Sequence, residues 1–78
     1  MINGTEFKTK DLYLATYLKY RGIEPVIVKD GARAVFMFQV SDELYKLMTA
    51  FNMNDAVPIQ DYIDIFKEMR SKMHDIKG

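Results

Sequence analysis

The chain has 78 residues, of which 49% are hydrophobic and 28% are charged, and eleven basic residues balance eleven acidic ones. Its length fits a single domain over residues 1–78 and its composition is that of a chain that folds, which excludes several domains and intrinsic disorder. The zero net charge disfavours general binding to nucleic acid, and the lack of cysteine excludes disulfides, thiolate catalysis and Cys-ligated zinc.

Composition also bears on compartment and self-association. Small secreted domains usually depend on disulfides, so a cysteine-free chain fits the cytoplasm best. Residues 1–6 have neither the basic nor the apolar region of a signal peptide, and no apolar run approaches the roughly 20 residues that span a bilayer. We therefore expect no membrane partner. A domain of this size buries only roughly 60% of the surface of its unfolded chain, so we also expect a narrow stability margin and a tendency to form homodimers.

The first predicted helix covers residues 9–21. Thr9 is the expected N-cap, Asp11 favours the positive end of the helix dipole, and Gly22 marks the C-terminal end. Helical spacing predicts a core face formed by Leu14, Ala15 and Leu18, with Tyr17 at its edge. The opposite face carries Tyr13, Thr16 and Tyr20. We therefore expect an aliphatic core face and an aromatic outer face.

A β-hairpin is predicted over residues 23–40. Asp30-Gly31 separates two runs rich in β-branched and aromatic residues, which favours a type I′ turn. If these two residues form the loop, Ile27 lies opposite Ala34. Pro25 lacks an N–H group, so the first strand should be an edge strand.

Alternation along the hairpin separates its side chains into two faces. The first face is the expected core and comprises Ile23, Ile27, Ala34, Phe36, Phe38 and Val40. The second face comprises Val26, Val28, Arg33, Val35, Met37 and Gln39. Four of these six are apolar, more than a solvent-facing strand surface should carry.

Two further helices complete the predicted order α-β-β-α-α, an α+β domain with an antiparallel hairpin packed against helices. Ser41 should cap a helix that ends near Asn52 and carries an apolar stripe, and Pro58 should begin a helix running to about Ile76. The apolar seam of that last helix is Ile59, Tyr62, Phe66, Met69, Met73 and Ile76. Residues 5–8 could add a short third strand.

The opening residues resemble a known family. The run from Phe7 to Leu18, with the pattern Phe-x-Thr-x-Asp-Leu-Tyr-Leu-Ala, is followed by Gly22 and later by Val35-Phe36-Met37-Phe38. These features are similar to those of short bacterial and phage domains of unknown function, which end with a helix behind a short loop. The resemblance implies a cytoplasmic protein of prokaryotic or viral origin and supplies no activity.

No motif for catalysis, cofactor binding or metal binding is recognised. His74 is the only histidine and lies near the C-terminal end of a predicted helix, where a solvated cation is favoured. Asp64 and Glu68 have helical spacing, but each has a lysine partner, Lys67 and Lys72, which is typical of a solvated face. The sequence therefore favours a protein that is not an enzyme.

Two hypotheses for function remain. The first is a non-enzymatic protein-interaction module, homo-oligomeric and of phage or mobile-element origin, whose candidate interface is Val26, Val28, Val35 and Met37 together with Tyr13 and Tyr20. A second chain could cover the apolar hairpin face, or helix 1 could pack on one face and the other helices on the second. The alternative function is a nucleic-acid accessory protein, because Tyr13, Tyr17 and Tyr20 alternate with cations, Lys10, Lys19 and Arg21, and bases stack on aromatic rings.

Overall fold

The computed structural model describes residues 6–77, which form three strands and three helices around one core. Their order is β1 (Glu6–Thr9), α1 (Leu12–Tyr20), β2 (Val26–Asp30), β3 (Arg33–Gln39), α2 (Asp42–Asn52) and α3 (Ile59–Lys77). The predicted α+β class is confirmed, and so is a short first strand, which covers Glu6–Thr9 where residues 5–8 were predicted; residue 5 lies outside the described residues. None of the helices in this part of the chain is long and apolar enough to cross a membrane.

The three strands form an antiparallel sheet in the order β1-β3-β2, so β3 is central and β2 lies at one edge. The predicted hairpin and its edge strand are confirmed, with Pro25 directly before β2. The predicted register is wrong by two residues, because Ile27 pairs with Phe36 and Asp30 pairs with Arg33. The shift leaves every side chain on its predicted face, since faces alternate with a period of two.

The error in register comes from the turn. Gly31 and Ala32 form the loop, and only Gly31 has a positive φ, of 64°. Glycine with positive φ at the first of two loop residues is the pattern of a type II′ turn, whereas the predicted type I′ turn needs positive φ at both positions. Asp30 therefore belongs to the strand and not to the loop.

The three helices cover a single face of the sheet. The core cluster joins β3 residues Phe36 and Phe38 to all three helices and includes, among others, Leu14, Leu18, Leu44 and Met69. The Cα atoms extend 35 × 33 × 16 Å, and 16 Å is too thin for helices on both sides of a sheet, because packed layers lie roughly 10 Å apart. Internal burial of the second hairpin face by helices is therefore wrong as an explanation.

Helix α1 lies between α2 and α3 and contacts both. Its residues 14–18 are all buried, including Thr16, whose hydroxyl donates to the carbonyl of Leu12 at 2.7 Å. The predicted outer face is wrong at Thr16, which is fully buried, whereas Tyr17, predicted at the edge of the core face, is 2% exposed. A helix covered by the sheet and by two helices buries more than the single face that apolar periodicity reveals.

Helix termini are largely where the sequence predicted them. Ser41 caps α2 by accepting a hydrogen bond from Leu44 N–H at 3.0 Å. The cap of α1 is Asp11 and not Thr9, because the Asp11 carboxylate accepts from Tyr13 and Leu14 N–H. Thr9 lies in β1, and its hydroxyl accepts a hydrogen bond from Asp11 N–H at 3.0 Å.

Helix α3 packs against α1 and the β2 side of the sheet. Of its predicted seam, Met69 is fully buried and Tyr62, Phe66 and Met73 are half-buried. Ile59 and Ile76 are exposed. The predicted burial is therefore confirmed in the middle of the seam and wrong at its two ends, where the helix extends past the core.

Candidate functional site

The sheet face opposite the helices carries an apolar patch, which we call the open face. Strand pairing places Val26 and Met37 in one row across the sheet and Val28 and Val35 in the next. Paired residues of neighbouring strands project to the same side, so all four side chains lie on this face. They are four of the six residues predicted from the sequence as a partner interface, and the other two are Tyr13 and Tyr20.

Exposure varies across the open face. Val26, on the edge strand, is 55% exposed, Val28 and Met37 are half-buried, and Val35 is 5% exposed. Val35 belongs to the central strand and is absent from the core cluster that the described helices form with the sheet. The patch therefore has a sheltered centre and an exposed edge.

Charged side chains border the open face. Lys8 is in the same row as Met37, and Asp30 pairs with Arg33 at the hairpin end. A shallow depression beside Val35 is lined by Lys8, Lys10 and Asp30. An apolar centre with a polar border containing both signs of charge is the usual composition of a protein interface.

The candidate tyrosines do not form one surface. Tyr13 is 63% exposed, and its ring stacks on Phe66 with centroids 5.5 Å apart. The hydroxyl of Tyr62 donates to the carbonyl of Tyr13 at 2.9 Å, so α3 holds this part of α1. Tyr20 is half-buried and Tyr17 is buried. Of the three, Tyr13 alone presents most of its side chain to solvent.

Tyr17 belongs to a polar cluster that joins the ends of α1 and α2. Its hydroxyl donates to the Asp55 carboxylate at 2.7 Å, and Arg21 donates to the same oxygen at 2.9 Å. The Arg21 guanidinium also lies 5.9 Å from the centre of the Tyr17 ring. Burial raises the pKa of the Tyr17 phenol above its ordinary value, and the hydrogen bond to Asp55 adds to the shift.

Asp55 is the residue that the sequence analysis missed. Asn54, with a φ of 66°, and Asp55 close the end of α2 through hydrogen bonds from their N–H groups to the carbonyls of Phe51 and Ala50. This is the Schellman arrangement, and it fixes the direction in which the chain leaves the helix. The turn composition of residues 52–55 was visible in the sequence, but a partner 34 residues away, Arg21, was not.

Two of the three cations of the nucleic-acid hypothesis, Lys19 and Arg21, are paired with carboxylates, and the third, Lys10, is exposed and precedes α1. The Nζ atom of Lys19 lies 2.7 Å from a carboxylate oxygen of Glu24 and 3.9 Å from one of Glu68. Arg21 is paired with Asp55. The charges of Lys19 and Arg21 are therefore largely compensated where a phosphate backbone would have to bind. With Tyr17 buried, this geometry gives little support to the nucleic-acid hypothesis.

The carboxylates and the histidine of α3 are on its outer side. Glu68 pairs with Lys72 at 3.0 Å as predicted, and the hydrogen bond from Lys72 lowers the pKa of the Glu68 carboxyl. The predicted pair of Asp64 with Lys67 is not among the salt bridges of residues 6–77. His74 is exposed beside Lys67 and Arg70. Across residues 6–77, no three His, Asp or Glu side chains converge in a way that could hold a metal ion.

Comparison with known proteins assigns a family. A model described as domain of unknown function DUF5659 matches residues 4–75, so the chain belongs to that family. The expected membership in a family of domains without known function is thereby confirmed. No curated protein and no solved structure matches the chain.

Proposed function

We propose that this chain is a non-enzymatic protein-interaction module that forms a homodimer through the open face defined by Val26, Val28, Val35 and Met37. The observation that carries the proposal is the position of this apolar patch on the side of the sheet that no described helix covers. A sheet with one face on a core normally presents polar residues on its other face. Four apolar residues there favour contact with another protein surface.

A second copy is the partner that fits these properties most simply. Two sheets pack face to face with their side chains interdigitated, about 10 Å apart, and such packing would bury Val35 and Met37 against their counterparts. The border of the open face carries Lys8 and Arg33 together with Glu6 and Asp30, so a two-fold arrangement can bring opposite charges together. The zero net charge of the chain adds no long-range repulsion between copies.

The cellular setting is part of the same proposal. The lack of cysteine favours a reducing compartment, and we infer that the protein works in the cytoplasm. The resemblance of residues 7–18 to bacterial and phage domains supports a bacterial or phage origin.

The proposal is tested by measuring molecular mass with light scattering over a range of protein concentrations. We expect the wild type to approach twice 9.1 kDa at high micromolar concentration. Val26→Lys should shift the protein to the monomer, because a lysine placed in an apolar interface would be buried without a partner. Val26 is a better position than Val35, since Val35 is already covered within one chain.

Ile59→Lys provides the matched control. Ile59 is 63% exposed, close to the value for Val26, but it begins α3 and lies outside the open face. This variant should dimerise as the wild type does. A wild-type protein that stays monomeric, or a Val26→Lys variant that dimerises as well as Ile59→Lys, would contradict the proposal.

A further inference from the structure

A second surface of the molecule is the free edge of β2. Asp30 and Arg33 flank a two-residue loop, so they form a hydrogen-bonded pair, and the pairs then alternate along the hairpin. Ile27 and Lys29 consequently direct their backbone N–H and C=O groups away from β3. Neither residue takes part in another backbone hydrogen bond within residues 6–77.

An apolar groove lies beside this edge, between the beginning of β2 and the end of α3. Ile27 and Pro25 form one side, and Met69 and Ile76 of α3 form the other. Met69 is fully buried and closes the bottom, whereas Ile76 is 38% exposed at the opening. The side chain of Ile27 points to the helix side of the sheet and lines the groove, while its backbone N–H and C=O point outward from the edge. A strand bound at the edge would therefore lie directly beside the groove.

We propose that the β2 edge binds an extended peptide segment of another protein, which adds a fourth strand to the sheet and places an apolar side chain in this groove. Only an extended backbone matches alternating donors and acceptors at Ile27 and Lys29. The peptide residue that hydrogen-bonds with Ile27 projects to the same face as Ile27 and so enters the groove. Pro25 has no N–H, so pairing ends there.

A negative charge at the groove opening indicates which residue the ligand should carry there. Lys72 is engaged with Glu68, whereas Asp75 is exposed and makes no salt bridge with the side chains that the structure describes. A carboxylate at the border of an apolar groove favours a basic residue in the ligand. The ligand is therefore an extended segment in which a lysine or arginine lies two positions from an apolar residue, on the same side.

The test uses a library of random 12-residue peptides displayed on phage, selected on the full chain, followed by titration calorimetry with the synthetic form of the enriched sequence. We expect enriched peptides to combine an apolar and a basic residue two positions apart. Lys29→Pro removes an outward N–H without removing a hydrogen bond to β3, and it should weaken binding by about tenfold. Lys8→Pro removes the corresponding N–H on the opposite edge, β1, and should change affinity by less than about twofold.

Amide hydrogen exchange of the wild-type protein supplies a measurement that does not depend on the variants folding. Addition of the selected peptide should slow exchange at Ile27 and Lys29 and leave Lys8 unchanged. The inference is overturned if no peptide is enriched, if Lys8→Pro and Lys29→Pro weaken binding equally, or if the peptide does not slow exchange at Ile27 and Lys29. It is also overturned if these two amides become protected with rising protein concentration alone, since a second copy would then occupy the edge. The result is independent of dimerisation through the open face, which Val26→Lys tests separately.

Discussion

Phe36 and Val35 are consecutive residues of β3 on opposite faces of the same sheet, and both are almost inaccessible to solvent, at 0% and 5% exposure. Phe36 belongs to the core cluster that the sheet forms with the helices, whereas Val35 is absent from that cluster and projects to the opposite face. Solvent exposure alone would place both in the core. The presence or absence of a helix layer over the residue distinguishes the hydrophobic core from an apolar surface that can bind a partner.

Truncation of a side chain on the helix side of the sheet should destabilise the protein more than truncation of one on the open face. Phe36→Ala should lower the free energy of unfolding by about 3 to 5 kcal/mol, because it leaves a cavity beneath the helices. Met37→Ala, on the half-buried open face, should cost less than about 1.5 kcal/mol when the protein is dilute enough to be monomeric. Urea denaturation followed by circular dichroism measures both. Equal losses would mean that the open face is as well packed as the core.

The next prediction concerns the turn that sets the hairpin register. Gly31→Val should destabilise the protein by about 2 kcal/mol, because a β-branched residue is strained at the positive φ of this position. Apart from Gly31 and its two chain neighbours, no heavy atom lies within 4 Å of the site where a Cβ would be built, so the effect would come from the backbone and not from a clash. Ala32→Val is the matched control in the same loop and should change the thermal midpoint little. Similar losses for both variants would contradict the assigned turn.

A smaller effect is expected at Tyr17, on the helix side of the sheet. Tyr17→Phe should cost about 1 kcal/mol at pH 7, since the Asp55 carboxylate loses one hydrogen bond. The raised pKa of Tyr17 means that the folded state favours the neutral phenol, so this contribution is complete below about pH 10, the ordinary pKa of tyrosine, and is lost as pH rises through the raised folded-state pKa.

Urea denaturation at a series of pH values from neutral to alkaline checks the sign. The stability difference between wild type and Tyr17→Phe should shrink at the alkaline end. As pH rises, the Tyr17 phenol ionises more readily in the unfolded wild type than in the folded one, which favours unfolding, and the variant has no such phenol. Tyr45→Phe, at an exposed position of α2, is the control for loss of a tyrosine hydroxyl and should change stability little at pH 7. A Tyr17 difference that grows with pH would contradict burial of the neutral phenol.

The local features of the fold were predictable from the sequence because their causes are local. Ser41 caps a helix by bonding an amide three residues on, and Gly22 ends a helix by adopting positive φ. Alternation alone placed Val26 and Met37 on one face. The choice between loops Asp30-Gly31 and Gly31-Ala32 was not predictable, since both contain one glycine and both leave the faces unchanged.

The remaining features depend on contacts between distant segments. Thr16 and Tyr17 are buried because α2 and α3 flank α1, and helical periodicity cannot show how many sides of a helix are covered. Asp55 was missed for the same reason, because its partners Arg21 and Tyr17 come from another helix. The residues of the open face could be predicted, but that no helix within residues 6–77 covers them could not.

Contact between two copies through the open face can be observed by intermolecular nuclear Overhauser effects. A sample mixing isotope-labelled and unlabelled chains reports only contacts between copies. We expect cross-peaks from the methyl groups of Val26, Val28, Val35 and Met37 and none from the core methyl groups of Leu18 and Leu44. Cross-peaks confined to other surfaces, or a monomer without any at high micromolar concentration, would contradict dimerisation through the open face.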